Sequence, residues 1–235
     1  MGKKYDAAVA DVDMAELFEP RQAVELVKNS AFASFDETVE VVFLLGIDPK
    51  QAEQGVRGTV ALPHGTGKDV RVAVFAEGEK ANEAETAGAA VIGGKELAAE
   101  IEKGRELDFD VVVSVPELMA DVGKLGRILG PRGLMPNPKA GTVTQDVAKA
   151  VEEFKAGRVE YRNDRFGNVQ VPLGRVSFEA DHLERNFATV ADEILRARPA
   201  ATKGRFVRKA VISSTMGPGF KVDPAALEDL ARLVH

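Results

Sequence analysis

The spacing of apolar positions changes character three times along this chain. After a polar lead-in over 3–19, Pro20 sits at a helix start, where its missing N–H is not needed. Ala23, Leu26 and Val27 then recur at helical spacing before a break at Asn29 and Ser30. Over 35–45 the period falls to two: Phe35, Val39, Val41, Phe43 and Leu45 share one parity while Asp36, Thr38 and Glu40 hold the other, which predicts a half-buried strand. A second strand is predicted over 56–62. The breaker-dense Pro63, His64, Gly65, Thr66 and Gly67 read as a linker.

Beyond that linker, apolar runs over 70–76, 89–92 and 110–115 alternate with charged helical patterns over 80–87 and 95–103. This is the βαβ rhythm of a parallel sheet with helices on its faces, and further helices near 116–122 and 145–154 complete a doubly wound unit. From Gly157 the pattern shortens again, to strands over 158–162, 168–171 and 176–178 with a turn over 163–167. Asp181 is positioned to cap a long helix whose stripe is Leu183, Phe187, Val190, Ile194 and Leu195, ended by Pro199. A strand over 206–213, a tight turn over 215–219 and a terminal helix opened by Asp223 and Pro224 follow, with Leu227, Leu230 and Leu233 facing inward.

Neither end of the chain carries enough amphipathic elements to fold by itself. The expectation is an α/β protein of two domains: a discontinuous α+β domain from both chain ends, 1–67 plus 157–235, and an inserted Rossmann-like three-layer α/β domain over 68–156.

Composition narrows the chemistry. With no Cys there is no disulfide framework, thiolate nucleophile or Cys-ligated metal, and the scattered His64, His182 and His235 offer no His-rich site. No apolar run approaches the roughly 18–20 residues of a membrane span and no signal-peptide core opens the chain, so a cytoplasmic location is expected. The net charge of -6 argues mildly against a polyanionic partner, but it averages an uneven distribution. Acids dominate from Glu77 to Asp110, whereas Arg196, Arg198, Lys203, Arg205, Arg208, Lys209 and Lys221 form a run of bases with no acid among them. A solvated face would carry the same run.

Two glycine motifs fail as nucleotide sites. Gly65, Thr66, Gly67 and Lys68 lack the earlier glycine of a phosphate loop, where Leu62 stands, and the hydroxyl after the lysine, where Asp69 stands. Ile92, Gly93 and Gly94 lack the dinucleotide spacing, and the carboxylates over 77–110 fall on helix surfaces. The segment 123–143 is different: Lys124, Arg127, Arg132 and Lys139 sit among Gly and Pro, which predicts an exposed cationic loop rather than a buried element.

That segment closely resembles the defining stretch of the ribosomal protein L1 family, and three others agree in the right order. Phe35 to Glu40 resembles the family's first strand, Gly157 to Asp164 the return into the first domain, and Ser213 to Pro218 the C-terminal RNA-contacting turn, of the bacterial form. The resemblance implies a structural protein, with no cofactor, that binds 23S rRNA at the mobile stalk of the large ribosomal subunit. It further implies contact with exit-site tRNA, repression of its own operon mRNA, no membrane partner and a monomer off the ribosome. Carried over by position, the rRNA and mRNA contacts are Phe35, Glu37, Thr38, Arg162, Asp164, Arg165, Gly167, Ser213, Thr215, Met216 and Gly217. Lys124, Arg127, Arg132 and Lys139 would face tRNA or distant rRNA, and Gly67, Lys68, Gly157 and Arg158 would form the hinge. These residue types suit RNA contact, since hydroxyls and the Gly217 backbone reach 2′-hydroxyls and phosphates, Met216 and Phe35 pack on sugar or base, and arginines neutralise the backbone. The pattern departs at Ser34, where family members often carry Lys, leaving Lys28 or Arg165 to supply that phosphate contact. Two Tyr and no Trp disfavour a broad stacking platform. The rival reading is a nucleotide-dependent enzyme using the inserted domain; a protein-only interaction module is the third.

Overall fold

The structure, a computed structural model, describes residues 2–10 and 12–234, with backbone alone for Ala52 and Lys139. Its contacts divide into two units, Met1–Gly67 with Val159–His235, and Lys68–Arg158. The first opens with α1 (Lys3–Ala8), α2 (Pro20–Ser30), β1 (Thr38–Leu45) and β2 (Arg57–Ala61). The second holds β3 (Val72–Phe75), β4 (Val91–Gly93) and β5 (Val111–Ser114), with helices α3 (Glu79–Thr86), α4 (Lys95–Glu102), α5 (Met119–Val122), α6 (Gly126–Leu129) and α7 (Val147–Ala156). The chain returns through β6 (Arg158–Arg162), β7 (Asn168–Arg175), α8 (Ala180–Arg196), β8 (Val207–Ser214), β9 (Gly219–Val222) and α9 (Ala226–Ala231). Gly157 and Arg158, expected to open the returning segment, belong by their contacts to the second unit.

In the first unit an antiparallel sheet runs in the order β7-β1-β8-β9. The two-residue period of β1 becomes its packing: Val39, Val41, Phe43 and Leu45 are buried. Val41 lies opposite Val171 and Ile212, and Phe43 opposite Val169 and Ala210. Helices α2, α8 and α9 pack together, with α2 on β8 and β9 and α8 on β7. Leu183, Phe187, Val190 and Ile194 of α8 are buried, and each such side chain contributes about 1.5–3 kcal/mol relative to exposure.

Several expectations are corrected. Residues 176–178 are a turn, and β7 runs unbroken through Pro172 and Gly174. Pro172 is tolerated because β7 is an edge strand, and the register slips there, Val39 facing Gly174 while Glu40 faces Pro172, so Leu173 is the extra residue of a bulge. Glu179, not Asp181, precedes the first turn of α8; Asp181 instead pairs with Arg21 at 2.8 Å. After the tight turn the chain forms β9, whose free edge is joined by Phe18: its N–H donates to the Lys221 carbonyl at 2.9 Å, and its carbonyl accepts from Asp223 N–H at 3.0 Å. Leu227 and Leu230 face inward but Leu233 is exposed. His64 and His182 are not scattered: their rings stack at 4.0 Å.

In the second unit β3 lies between β4 and β5, parallel to both. All four residues of β3 are buried, which requires cover on both faces; α3 packs on α7, and α4 on α5. The segment 123–143 is not the open loop expected of its Gly and Pro content. It contains short helical turns that bury Leu125 and Leu129, the Asn137 N–H donates to Thr142 Oγ1 at 2.7 Å, and Val143 bridges Ser114.

Candidate nucleic-acid interface

Glu37 organises the N-terminal end of β1. Its side chain is buried, and four donors converge on it: the Phe32 and Ala33 N–H groups at 3.2 and 2.9 Å on Oε1, and Ser214 Oγ–H and the Met216 N–H at 2.7 and 2.8 Å on Oε2. Burial raises the carboxyl's pKa, but the bonds from Met216, Ala33, Ser214 and Phe32 outweigh it and hold the group below its ordinary value. Glu37, expected among the RNA contacts, has both carboxylate oxygens engaged inside the fold, where it fixes the groups that face outward. Parity could have found this, since Glu37 lies on the inward register of Val39.

The same end is tied across the sheet. The Thr38 N–H donates to Thr215 Oγ1 at 3.0 Å, Arg175 donates to Thr38 Oγ1 at 3.0 Å, and Asp36 accepts from the Ser177 N–H and hydroxyl. Phe35, Thr215 and Met216 stand exposed around this knot, and Ser213 is half-buried opposite Glu40. A Cβ on Gly217 would lie 2.4 Å from Ser214 Oγ, so only glycine leaves the Ser214 bond to Glu37 undisturbed. Lys28 is not the substitute for the missing lysine at Ser34, because its ammonium donates to the carbonyls of Val176 and Phe178.

The second cluster is the turn between β6 and β7. Asp164 Oδ1 accepts the N–H of Phe166 and Asn168 at 2.7 and 2.8 Å, and Oδ2 accepts Asn168 Nδ2 at 2.9 Å. Burial opposes ionisation, but the Asn168 side chain and the surrounding N–H groups hold the Asp164 carboxyl below its usual range. Gly167, expected as a contact, is buried with φ +84°, and its carbonyl accepts from Leu45 N–H at 2.9 Å, so it shapes the turn. Arg162 and Arg165 are exposed, and so is Phe166, which sequence reasoning passed over. The two clusters lie at opposite ends of β1, about 20 Å apart at the rise of an extended strand. Between them the outward register of the sheet carries Glu40, Val42, Leu44, Gln170, Lys209 and Val211.

In the second unit Lys124, Arg127 and Arg132 are exposed, while the Lys139 side chain lies outside the described residues. Lys124 pairs with Asp121 at 2.7 Å, which raises its pKa chiefly through that hydrogen bond. The expected hinge residues are each held locally. Gly67, at φ +68°, lies where a Cβ would meet Arg175 and Phe178; Lys68 pairs with Asp110 at 2.6 Å; Gly157 closes α7 in the left-handed region; and Arg158 pairs with Glu153.

Neither glycine motif gains a nucleotide site. The 65–68 loop leads into β3 rather than a helix, and at the start of α4 the Glu77 carboxylate accepts the Lys95 N–H at 3.2 Å, where a phosphate would otherwise bind. Among the described residues no group of three or more His, Cys, Asp or Glu is gathered to hold a metal ion. No helix among them is long and apolar enough to cross a membrane. A model of the Ribosomal protein L1p/L10e family matches residues 27–218, which takes in both clusters and the whole second unit. The chain therefore belongs to the ribosomal protein L1 family, as a ribosome-associated component of the large subunit in the cytoplasm and not an enzyme.

Proposed function

We propose that the first unit grips the stalk of large-subunit rRNA through the side chains exposed at the two ends of β1. One observation carries the reading: Glu37 draws residues some 180 positions apart in the chain into one knot, leaving Phe35, Thr215 and Met216 outside it. A hydroxyl, a thioether and an aromatic ring on a fixed backbone suit 2′-hydroxyls and sugar or base faces, while Arg162 and Arg165 meet phosphates at the other end. The exposed Arg127 and Arg132 would face exit-site tRNA, and free protein would occupy a similar RNA fold in its own operon mRNA and repress translation.

Footprinting of purified protein on large-subunit rRNA at near-physiological salt tests this. A discrete protected segment is expected, with affinity falling as salt rises at a log-log slope of about -0.7 to -0.9 per neutralised phosphate. Met216→Asp or Thr215→Val should abolish protection without unfolding the protein. Unchanged protection in both variants would overturn the site, and saturable nucleotide binding that survives them would favour the enzymatic alternative.

A further inference from the structure

Of the twelve phenylalanines, only Phe35 and Phe166 are among the exposed large hydrophobic side chains of the described residues, and Phe166 is the more open at 65%. It does not stand on a loose loop. The Asp164 carboxylate holds the Phe166 N–H, the left-handed Gly167 follows, and a Cβ on Gly167 would lie within 3.5 Å of the Leu45 carbonyl oxygen and the Ile47 side chain, so the turn rests closely on the chain after β1. The Arg165 guanidinium lies over the ring at 4.8 Å from its centroid. This is a ring held on a rigid turn, covered by a cation and still largely open to solvent, with Arg162 exposed nearby in sequence.

We infer that Phe166 is a stacking platform for one unpaired RNA base, with Arg165 and Arg162 taking the flanking phosphates. The inference rests on the RNA reading above and adds to it a single point of base contact, in a chain otherwise poor in aromatic surface. An aromatic ring on a fixed backbone beside guanidinium groups is the combination that binds unstacked bases, because every base offers a π face while the phosphates need cations. Such a platform prefers a looped-out or single-stranded nucleotide to a continuous duplex.

The test is filter binding to purified large-subunit rRNA. Phe166→Ala is expected to weaken binding about tenfold, the typical loss of one base–aromatic stack. Its salt slope should match that of the unmodified protein, since a neutral ring releases no counterion. Phe166→Leu keeps the apolar bulk without the π face and should behave like Phe166→Ala. Phe166→Trp should restore affinity, and because the chain has no other Trp, its emission reports the ring directly and should be quenched at saturating RNA. Phe166→Ala binding within about twofold of the unmodified protein, with F166W emission unmoved by bound RNA, would overturn the platform. If Met216→Asp abolishes binding in that case, the RNA reading stands alone. If the unmodified protein shows no specific rRNA binding, both fall together.

Discussion

In the first unit the end of β1 is held by a buried carboxylate that accepts hydrogens from the Phe32 to Ala33 stretch on one side and from Ser214 and Met216 on the other. In the second unit the segment 123–143 is held within one continuous stretch of chain: Asp121 pairs with Lys124 and Asn137 with Thr142, Val143 lies against Ser114 of β5, and Leu125 and Leu129 are buried in that unit's core. The first arrangement exists only when both chain ends have folded together. The second needs only the continuous stretch that makes up its own unit. A surface built from distant segments is thus a readout of both chain ends folding together, whereas the cationic segment reports on its own unit.

The sharpest way to break that contrast is Glu37→Ala. It leaves three N–H groups and a hydroxyl without their buried acceptor, and a loss on the order of 3 kcal/mol is expected in urea denaturation, with rRNA affinity lost alongside. Retained stability would show that Glu37 does not hold the two ends together. Acidification should loosen the knot more gently, and it acts on both units, since Asp110 and Asp121 of the second are also held below their ordinary range. Glu37 and Asp164 both have folded pKa values below their ordinary ones, so their stabilisation is complete above the unfolded carboxylate range and is lost as pH falls through the folded values. Thermal melts between pH 6 and pH 3, a range spanning the ordinary carboxylate pKa of about 4, should show the first unit weakening, and Glu37→Gln should flatten part of that dependence. The smallest effect is expected from Thr142→Val in the second unit, about 1 kcal/mol for the lost bond to the Asn137 N–H, with rRNA affinity unchanged. A fall in affinity there would mean that the local segment supports the distant surface after all.

The sheet core was legible because β1, β7 and α8 obey their periods: Val39 to Leu45 by alternate residues, and Leu183 to Ile194 by helical turns. The family motifs were legible too, being short and local. What escaped depended on partners far along the chain. Pro172 and Gly174 read as breaks because sequence does not announce an edge strand with a bulge. Phe18 was lost in a polar lead-in because its partner is Val222, and β9 was hidden behind the Pro218 and Gly219 turn. Leu125, Ile128, Leu129, Leu134 and Met135 are interrupted by Gly and Pro, so no sustained helical or alternating period marks the buried element they form. In the site, residue types give chemistry but not orientation: they do not reveal that Glu37 and Gly167 are buried while Phe166 is exposed.

The margins of the four-stranded sheet have a consequence of their own. A bare strand margin offers unpaired amides to any passing chain, and polypeptides made in bulk ahead of assembly are at greatest hazard from such pairing. Here one margin is interrupted by Pro172 and the bulge at Leu173, and the other is capped by Phe18. A surplus of unassembled copies is thereby denied the template on which they would otherwise stack into insoluble ribbons.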